Sequence, residues 1–223
     1  MIRTKSDSEI QQDVLHELKW DTRVEETEVG VTVNKGIVTL TGIVSIYGKR
    51  LAAQEAAHRV AGVLDVANDI QVRISDGLDH TDPEIAQAVR NALEWDIWIP
   101  DERIRSTVAD GWVTLEGTVS QLGEREDAER AVQHLRGVRG VTNKITVSGP
   151  IVMPEEVRSM IEEALERRAE REAKRINVEV AGSTVTLSGS VRSLAEKRAI
   201  LGAVSHAPGV RTVEENLFVD PLV

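Results

Sequence analysis

The stretch GWVTLEGTVSQLGEREDAERAVQHLRGVRGV, Gly111 to Val141, holds a strand, a helix and the turn that ends it, and its landmarks occur three times in the 223-residue chain. GIVTLTG at Gly36–Gly42 returns as GWVTLEG at Gly111–Gly117 and as STVTLSG at Ser183–Gly189. An alanine-rich segment follows each copy: Ala53, Ala56, Ala57 and Val60, then Ala128, Ala131, Val132 and Leu135, then Ile200, Ala203, Val204 and Ala207. Spacings of i, i+3, i+4 and i+7 put each set on one helix face, and the small side chains imply a close approach to a sheet. Gly62, Gly137 and Gly209, each followed by valine, stand where a glycine ends a helix.

Upstream of each copy the period is helical and then twofold. Ile10, Val14 and Leu18, Ile85, Val89 and Leu93, and Val157, Ile161 and Leu165 make apolar stripes, with Asp82–Pro83 read as a helix start. Val29, Val31 and Val33, Ile104 and Val108, and Ile176, Val178 and Val180 alternate as half-buried strands, joined through NKG, ADG and AGS turns to the VTL strands. A last strand carries Val66, Ile70 and Val72, Val141, Ile145 and Val147, and Val213, Leu217 and Val219. The expected fold is α+β: three tandem α-β-β-α-β units, residues 6–76, 80–149 and 152–222, each a small mixed three-stranded sheet with two helices on one face. The other face stays open, showing Ile37, Thr39 and Thr41, then Trp112, Thr114 and Glu116, then Thr184, Thr186 and Ser188. Strand order is left open. Units of about 70 residues are marginal alone and gain by packing against a neighbour.

The net charge is −10 and every third of the chain carries more acidic than basic residues, which argues against a phosphate-backbone ligand and so against nucleic acid. There is no cysteine, hence no disulfide, thiolate metal site or cysteine nucleophile. No run of about 18 apolar residues spans a membrane and the first residues lack a secretory apolar core, so a cytoplasmic location is expected, or a periplasmic one if a leader has been removed.

The repeated residues resemble the BON domain. GxVTLxG, the alanine-rich helix and GVxxVxNxIxV, present as GVLDVANDIQV and GVRGVTNKITV, carry the resemblance; the third copy reads GVRTVEENLFV, with Glu215 where Asn68 and Asn143 stand. ALEWDIWIPDERI in the second unit is also similar to tandem BON proteins. The resemblance implies a non-catalytic module associated with phospholipid membranes, envelope maintenance and osmotic or general stress.

Five histidines, His16, His58, His80, His134 and His206, are scattered without ligand spacing and read as solvent-facing, so no metal or cofactor is expected. No serine stands in a nucleophile motif, and no catalytic residue is assigned. GVRG at Gly137–Gly140 matches a nucleotide-clamping GxxG, but the other copies lack the second glycine. Trp20 and Trp95 share one place in the repeat and read as core or inter-unit contacts, whereas Trp98 and Trp112 have no aromatic counterpart and are candidate contacts to a partner. The basic run Arg167, Arg168, Arg171, Lys174 and Arg175 is a second candidate, suited to an anionic phospholipid surface; its interleaved glutamates suit a solvated helix equally. The expected partner is that surface or another protein, with homo-oligomerisation left open; a holdase-like stress protein without a defined site is the competing reading.

Overall fold

The computed structural model describes residues 5–73, 80–149, 152–168 and 175–220. The order α-β-β-α-β appears as α1 (Asp7–Trp20), β1 (Val29–Asn34), β2 (Ile37–Val44), α2 (Tyr47–Arg59) and β3 (Asp65–Val72). It returns as α3 (Asp82–Trp95), β4 (Ile104–Ala109), β5 (Trp112–Val119), α4 (Leu122–Val132) and β6 (Gly140–Val147). The last copy is α5 (Pro154–Arg168), β7 (Ile176–Ala181), β8 (Thr184–Val191), α6 (Leu194–Ser205) and β9 (Thr212–Val219).

Each VTL strand is the middle strand of a three-stranded sheet, in the orders β1-β2-β3, β4-β5-β6 and β7-β8-β9. β2 pairs antiparallel with β1, Val38 opposite Val33, and parallel with β3, Val38 opposite Val66; β5 repeats this between β4 and β6. Ile10, Val14 and Leu18 of α1, Val38, Leu40 and Val44 of β2 and Ala52, Ala53, Ala56 and Ala57 of α2 form one buried cluster, so both helices cover the same face. The small alanine side chains let α2 lie close on the sheet. Ile85, Val89, Leu93, Val113, Leu115 and Val132 are buried in the same way in the second repeat, and Val157, Ile161, Val185, Leu187 and Val204 in the third. The opposite face is open in the first two sheets, where Ile37, Thr41, Trp112 and Glu116 are exposed. In the third, Thr184, Thr186 and Ser188 are half-buried.

The chain divides into two compact units: one holds the first sheet and its helices together with Val191–Lys197, the other runs over His80–Ser190 and Arg198–Phe218. Within the latter, α4 and α6 are tied directly. Ser205, 1% exposed, donates from Oγ to Glu126 Oε2 at 2.6 Å, and the His206 ring lies over Gly123, where a Cβ would fall 2.7 Å from Cδ2.

Sequence-based expectation is corrected at three places. α3 is capped by Thr81, in a reciprocal box with Glu84, and not by Asp82. The Asp82 carboxylate accepts instead from the backbone N–H groups of Asp110 and Gly111, both at 2.9 Å, as Asp7 accepts from Lys35 and Gly36 at 2.7 and 2.9 Å. A carboxylate on the first turn of one helix therefore satisfies the orphan donors of a tight hairpin turn whose residues all have positive φ. His58 is buried, 8% exposed on α2, whereas the other four histidines are exposed.

Trp20 and Trp95 are the third correction: they are 72% and 87% exposed and lie outside the core. Each follows the last stripe residue, Leu18 or Leu93, by two positions, about 200° around an α-helix, so the indole leaves the helix on the side opposite its buried face. Trp20 rests on its own helix, donating from Nε1 to His16 Nε2 at 3.1 Å.

Candidate functional site

The loop after the first helix of each repeat is built by one local device, and its exposed residues differ between copies. In the first repeat Asp21 ends α1, and its Oδ1 accepts from the backbone N–H of Arg23 at 3.2 Å. Val24 then turns back into the core. In the second repeat Asp96 accepts from the Trp98 N–H at 3.0 Å and Ile99 turns in, 4% exposed. The turn is the same; Thr22 and Arg23 have become Ile97 and Trp98.

That exchange replaces an ion-pair network by bare apolar surface. Arg23 grips Asp21 with Nε and Nη2 at 2.9 and 2.8 Å and reaches Glu55 at 2.9 Å, while Arg59 of α2 adds a contact to Asp21 at 2.9 Å and one to Glu17 at 2.6 Å. The hydrogen-bonded Arg23 guanidinium holds the Asp21 carboxyl well below the usual carboxylate range, against the opposing effect of burial, with Arg59 acting in the same direction. A depressed folded-state pKa means that this stabilisation is complete above about pH 4, the ordinary aspartate range, and is lost as pH falls toward the depressed value. Denaturant midpoints measured down the acid limb should therefore fall less steeply for Asp21→Asn than for the parent; parallel acid limbs would show that the network adds nothing to pH-dependent stability.

In the second repeat Trp95, Ile97 and Trp98 are 87%, 86% and 73% exposed and adjacent in sequence around one turn. Isolated apolar side chains on a surface need no explanation, but three large ones within four residues, two of them indoles, are the kind of exposure that marks a contact surface. The sequence singled out Trp98 and missed Trp95 and Ile97. The available signal was the two-residue offset of Trp95 from its stripe.

Trp112 does not join this patch. It starts β5 beside the Asp110–Gly111 turn, which Asp82 pins to the first turn of α3, whereas Trp95 ends that helix and Ile97 and Trp98 follow it, some 20 Å away for a 14-residue helix. Its indole lies over Gly140 and donates from Nε1 to Thr142 Oγ1 at 2.8 Å, leaving it 48% exposed. Of the basic run, Arg167 and Arg168 end α5, and Arg171 and Lys174 lie outside the described residues. Arg175 is half-buried, with Nη1 enclosed and without a hydrogen-bond partner among the described residues.

The asparagines of GVxxVxNxIxV have a structural role. Asn68 Nδ2 donates to the Arg50 carbonyl and to Gln54 Oε1, its Oδ1 accepts from Ile70 N, and Arg50 Nη2 donates back to the Asn68 carbonyl. Asn143 does the same with Arg125, Glu129 and Ile145. The pair latches the second helix to the last strand; in the third repeat the two places hold Lys197 and Glu215.

Among the described residues no group of three or more metal-binding side chains occurs, and no helix is long and apolar enough to cross a membrane. What is repeated is scaffold, and what differs is surface: this is a tandem-repeat α+β protein made from one unit used three times. The chain belongs to the BON domain family, whose model matches residues 6–74, 81–149 and 155–221. Osmotically-inducible protein Y of Escherichia coli (strain K12) is 26% identical over 128 residues, 55% of this chain, and the match spans 63% of that relative's length. Among solved structures, CdsD, a structural protein of the type III secretion system of Chlamydia trachomatis, aligns over 94% of this chain and 91% of its own. Its identity is 14% and its TM-score 0.28, a likeness too loose to bear on fold or function.

Proposed function

We propose that the chain is a non-catalytic binding protein that serves osmotic or stress adaptation, or maintenance of the envelope, by associating with a phospholipid surface through Trp95, Ile97 and Trp98. One observation carries the reading: at the place where the first repeat has a threonine and a salt-bridged arginine, the second repeat exposes isoleucine and tryptophan on an unchanged turn. The similarity to an osmotically-inducible protein supports the stress context. Indole and isoleucine partition into the headgroup boundary without needing a basic face, which suits an acidic repeat. Each side chain withdrawn from water contributes roughly 1.5–3 kcal/mol before the losses of association, enough for reversible binding and not for permanent anchoring.

Cosedimentation of the full chain with phosphatidylcholine vesicles, with and without phosphatidylglycerol, tests this. Binding that persists in high salt and is lost in the Trp95→Ala, Trp98→Ala double variant is expected. Absence of binding to either vesicle would contradict the proposal. Binding only to the anionic vesicles, removed by salt or by neutralising Arg167, Arg168 and Arg171, would move the contact to the third repeat. A holdase-like role would show as suppressed aggregation of a model substrate at equimolar protein, unaffected by the tryptophan substitutions.

A further inference from the structure

The open face of the second sheet carries Trp112, rows of threonines and two arginines on one strip. Along it the parallel and antiparallel registers set Trp112 beside Gly140, Thr107, Thr114 and Thr142 in one row, Arg105, Glu116 and Lys144 in the next, and Thr118 beside Thr146 beyond them. From Trp112 to Thr118 this strip runs about 20 Å at the usual strand rise. Its far end is a shallow groove of about 490 Å³ lined by Arg103, Arg105, Glu116, Gly117 and Thr118.

The groove is locally cationic in a repeat where acidic residues outnumber basic ones by five over residues 77–150. Lys144 is the partner of Glu116 at 3.4 Å, and among the described residues the Arg103 side chain reaches only the Ser120 hydroxyl at 3.4 Å. Arg105 is without a partner among the described residues. Two guanidinium groups beside a single lysine-paired carboxylate leave an uncompensated positive site. At the same positions the first repeat has Glu28, Gly30 and Asp69 for Arg103, Arg105 and Lys144, and Ile37 for Trp112. The third has Arg175, Asn177 and Asn216, and Thr184. The second copy joins two arginines to Trp112; the third has Arg175 and an exposed Phe218 at the place of Thr146, without a second arginine or the tryptophan.

That platform is preset. The Trp112 six-membered ring lies over Gly140, where a Cβ would fall 2.6 Å from its atoms, and the bond from Nε1 to Thr142 fixes its rotation, so one side of the indole faces the strand and the other faces water. A rigid outward π-face, rows of hydroxyls that both donate and accept, and guanidinium forks at one end are together complementary to a ligand with apolar C–H faces, many hydroxyls and carboxylates. A bare phosphate or simple anion would leave Trp112 and the threonine rows unused, and a neutral sugar would leave the two arginines unused.

We propose that this face binds an acidic oligosaccharide, a sugar ring stacking on Trp112 and a carboxylate seated on Arg103 and Arg105. The site is separate from the tryptophan loop and does not depend on membrane association. Titration calorimetry of the full chain at low salt with a hyaluronan hexasaccharide, which alternates uronic acid and N-acetylglucosamine, tests it against neutral chitohexaose and inorganic phosphate. The acidic oligosaccharide is expected to bind, with chitohexaose and phosphate each weaker by about tenfold or more. Trp112→Ala and Arg105→Gln should each weaken it by about tenfold, with Trp112→Phe retaining most of the affinity and all three leaving vesicle binding unchanged. No binding of the acidic oligosaccharide, binding indifferent to Arg105→Gln, or phosphate bound as tightly as the oligosaccharide would each overturn the proposal.

Discussion

Gly117→Ala is expected to destabilise the second repeat by more than about 3 kcal/mol. Gly117 has φ +147°, and a Cβ there would lie 2.1 Å from the Arg103 carbonyl oxygen. That carbonyl belongs to the backbone entering β4, so no side-chain rotation relieves the clash, and the strand pair would have to open. Gly42 and Gly189 stand in the same relation to the Glu28 and Arg175 carbonyls, at 2.0 and 2.1 Å. Urea unfolding of the full chain followed by circular dichroism reads the loss. Gly202→Ala is the matching control: it lies inside α6 with nothing within 4 Å, and alanine there should be neutral or stabilising by up to about 1 kcal/mol. Equal outcomes for the two substitutions would show that the close approach at Gly117 has been misjudged.

The second large effect is expected from Asn143→Ala, a loss of about 2–3 kcal/mol. Asn143 is half-buried and its amide meets the Arg125 carbonyl at 2.8 Å, Glu129 at 3.1 Å and the Ile145 N–H at 3.1 Å. Removing it leaves those partners to find water at the seam between α4 and β6, each net hydrogen bond contributing roughly 1 kcal/mol. Asn143→Asp keeps the acceptor for Ile145 but loses both donated bonds and sets a carboxylate beside Glu129, so it should be no better tolerated. A midpoint shift worth less than about 0.5 kcal/mol for both variants would reduce the latch to a coincidence of geometry.

The scaffold was legible because its signals are local. Alternation fixed the strands and the alanine stripe fixed the second helix, whereas the backbone carbonyls of Glu28, Arg103 and Arg175 that crowd Gly42, Gly117 and Gly189 are tertiary contacts that no local signal shows. Strand order was not legible in full: the NKG turn pairs GIVTLTG with the strand before it, but only three-dimensional packing sets the last strand on its other side and makes it the middle one. Asp82 was misread because an aspartate before proline is a good helix cap in isolation, while its use by a turn 28 residues later is a tertiary contact. The shared place of Trp20 and Trp95 suggested burial because repetition was taken as a sign of packing, yet their angle from Leu18 and Leu93 already turned them outward. Asn68 and Asn143 could be given no role from the sequence, because the partners that give them one, Arg50 and Arg125, sit 18 residues upstream on another element.

On the proposed function, the three copies share a scaffold and binding belongs to residues that one copy has changed. The direct measurement is vesicle partitioning of the Ile97→Thr, Trp98→Arg variant, which gives the second repeat the residues of the first on the same turn. Partitioning is predicted to fall by about tenfold or more with the urea midpoint unchanged. Partitioning equal to that of the parent protein would contradict it.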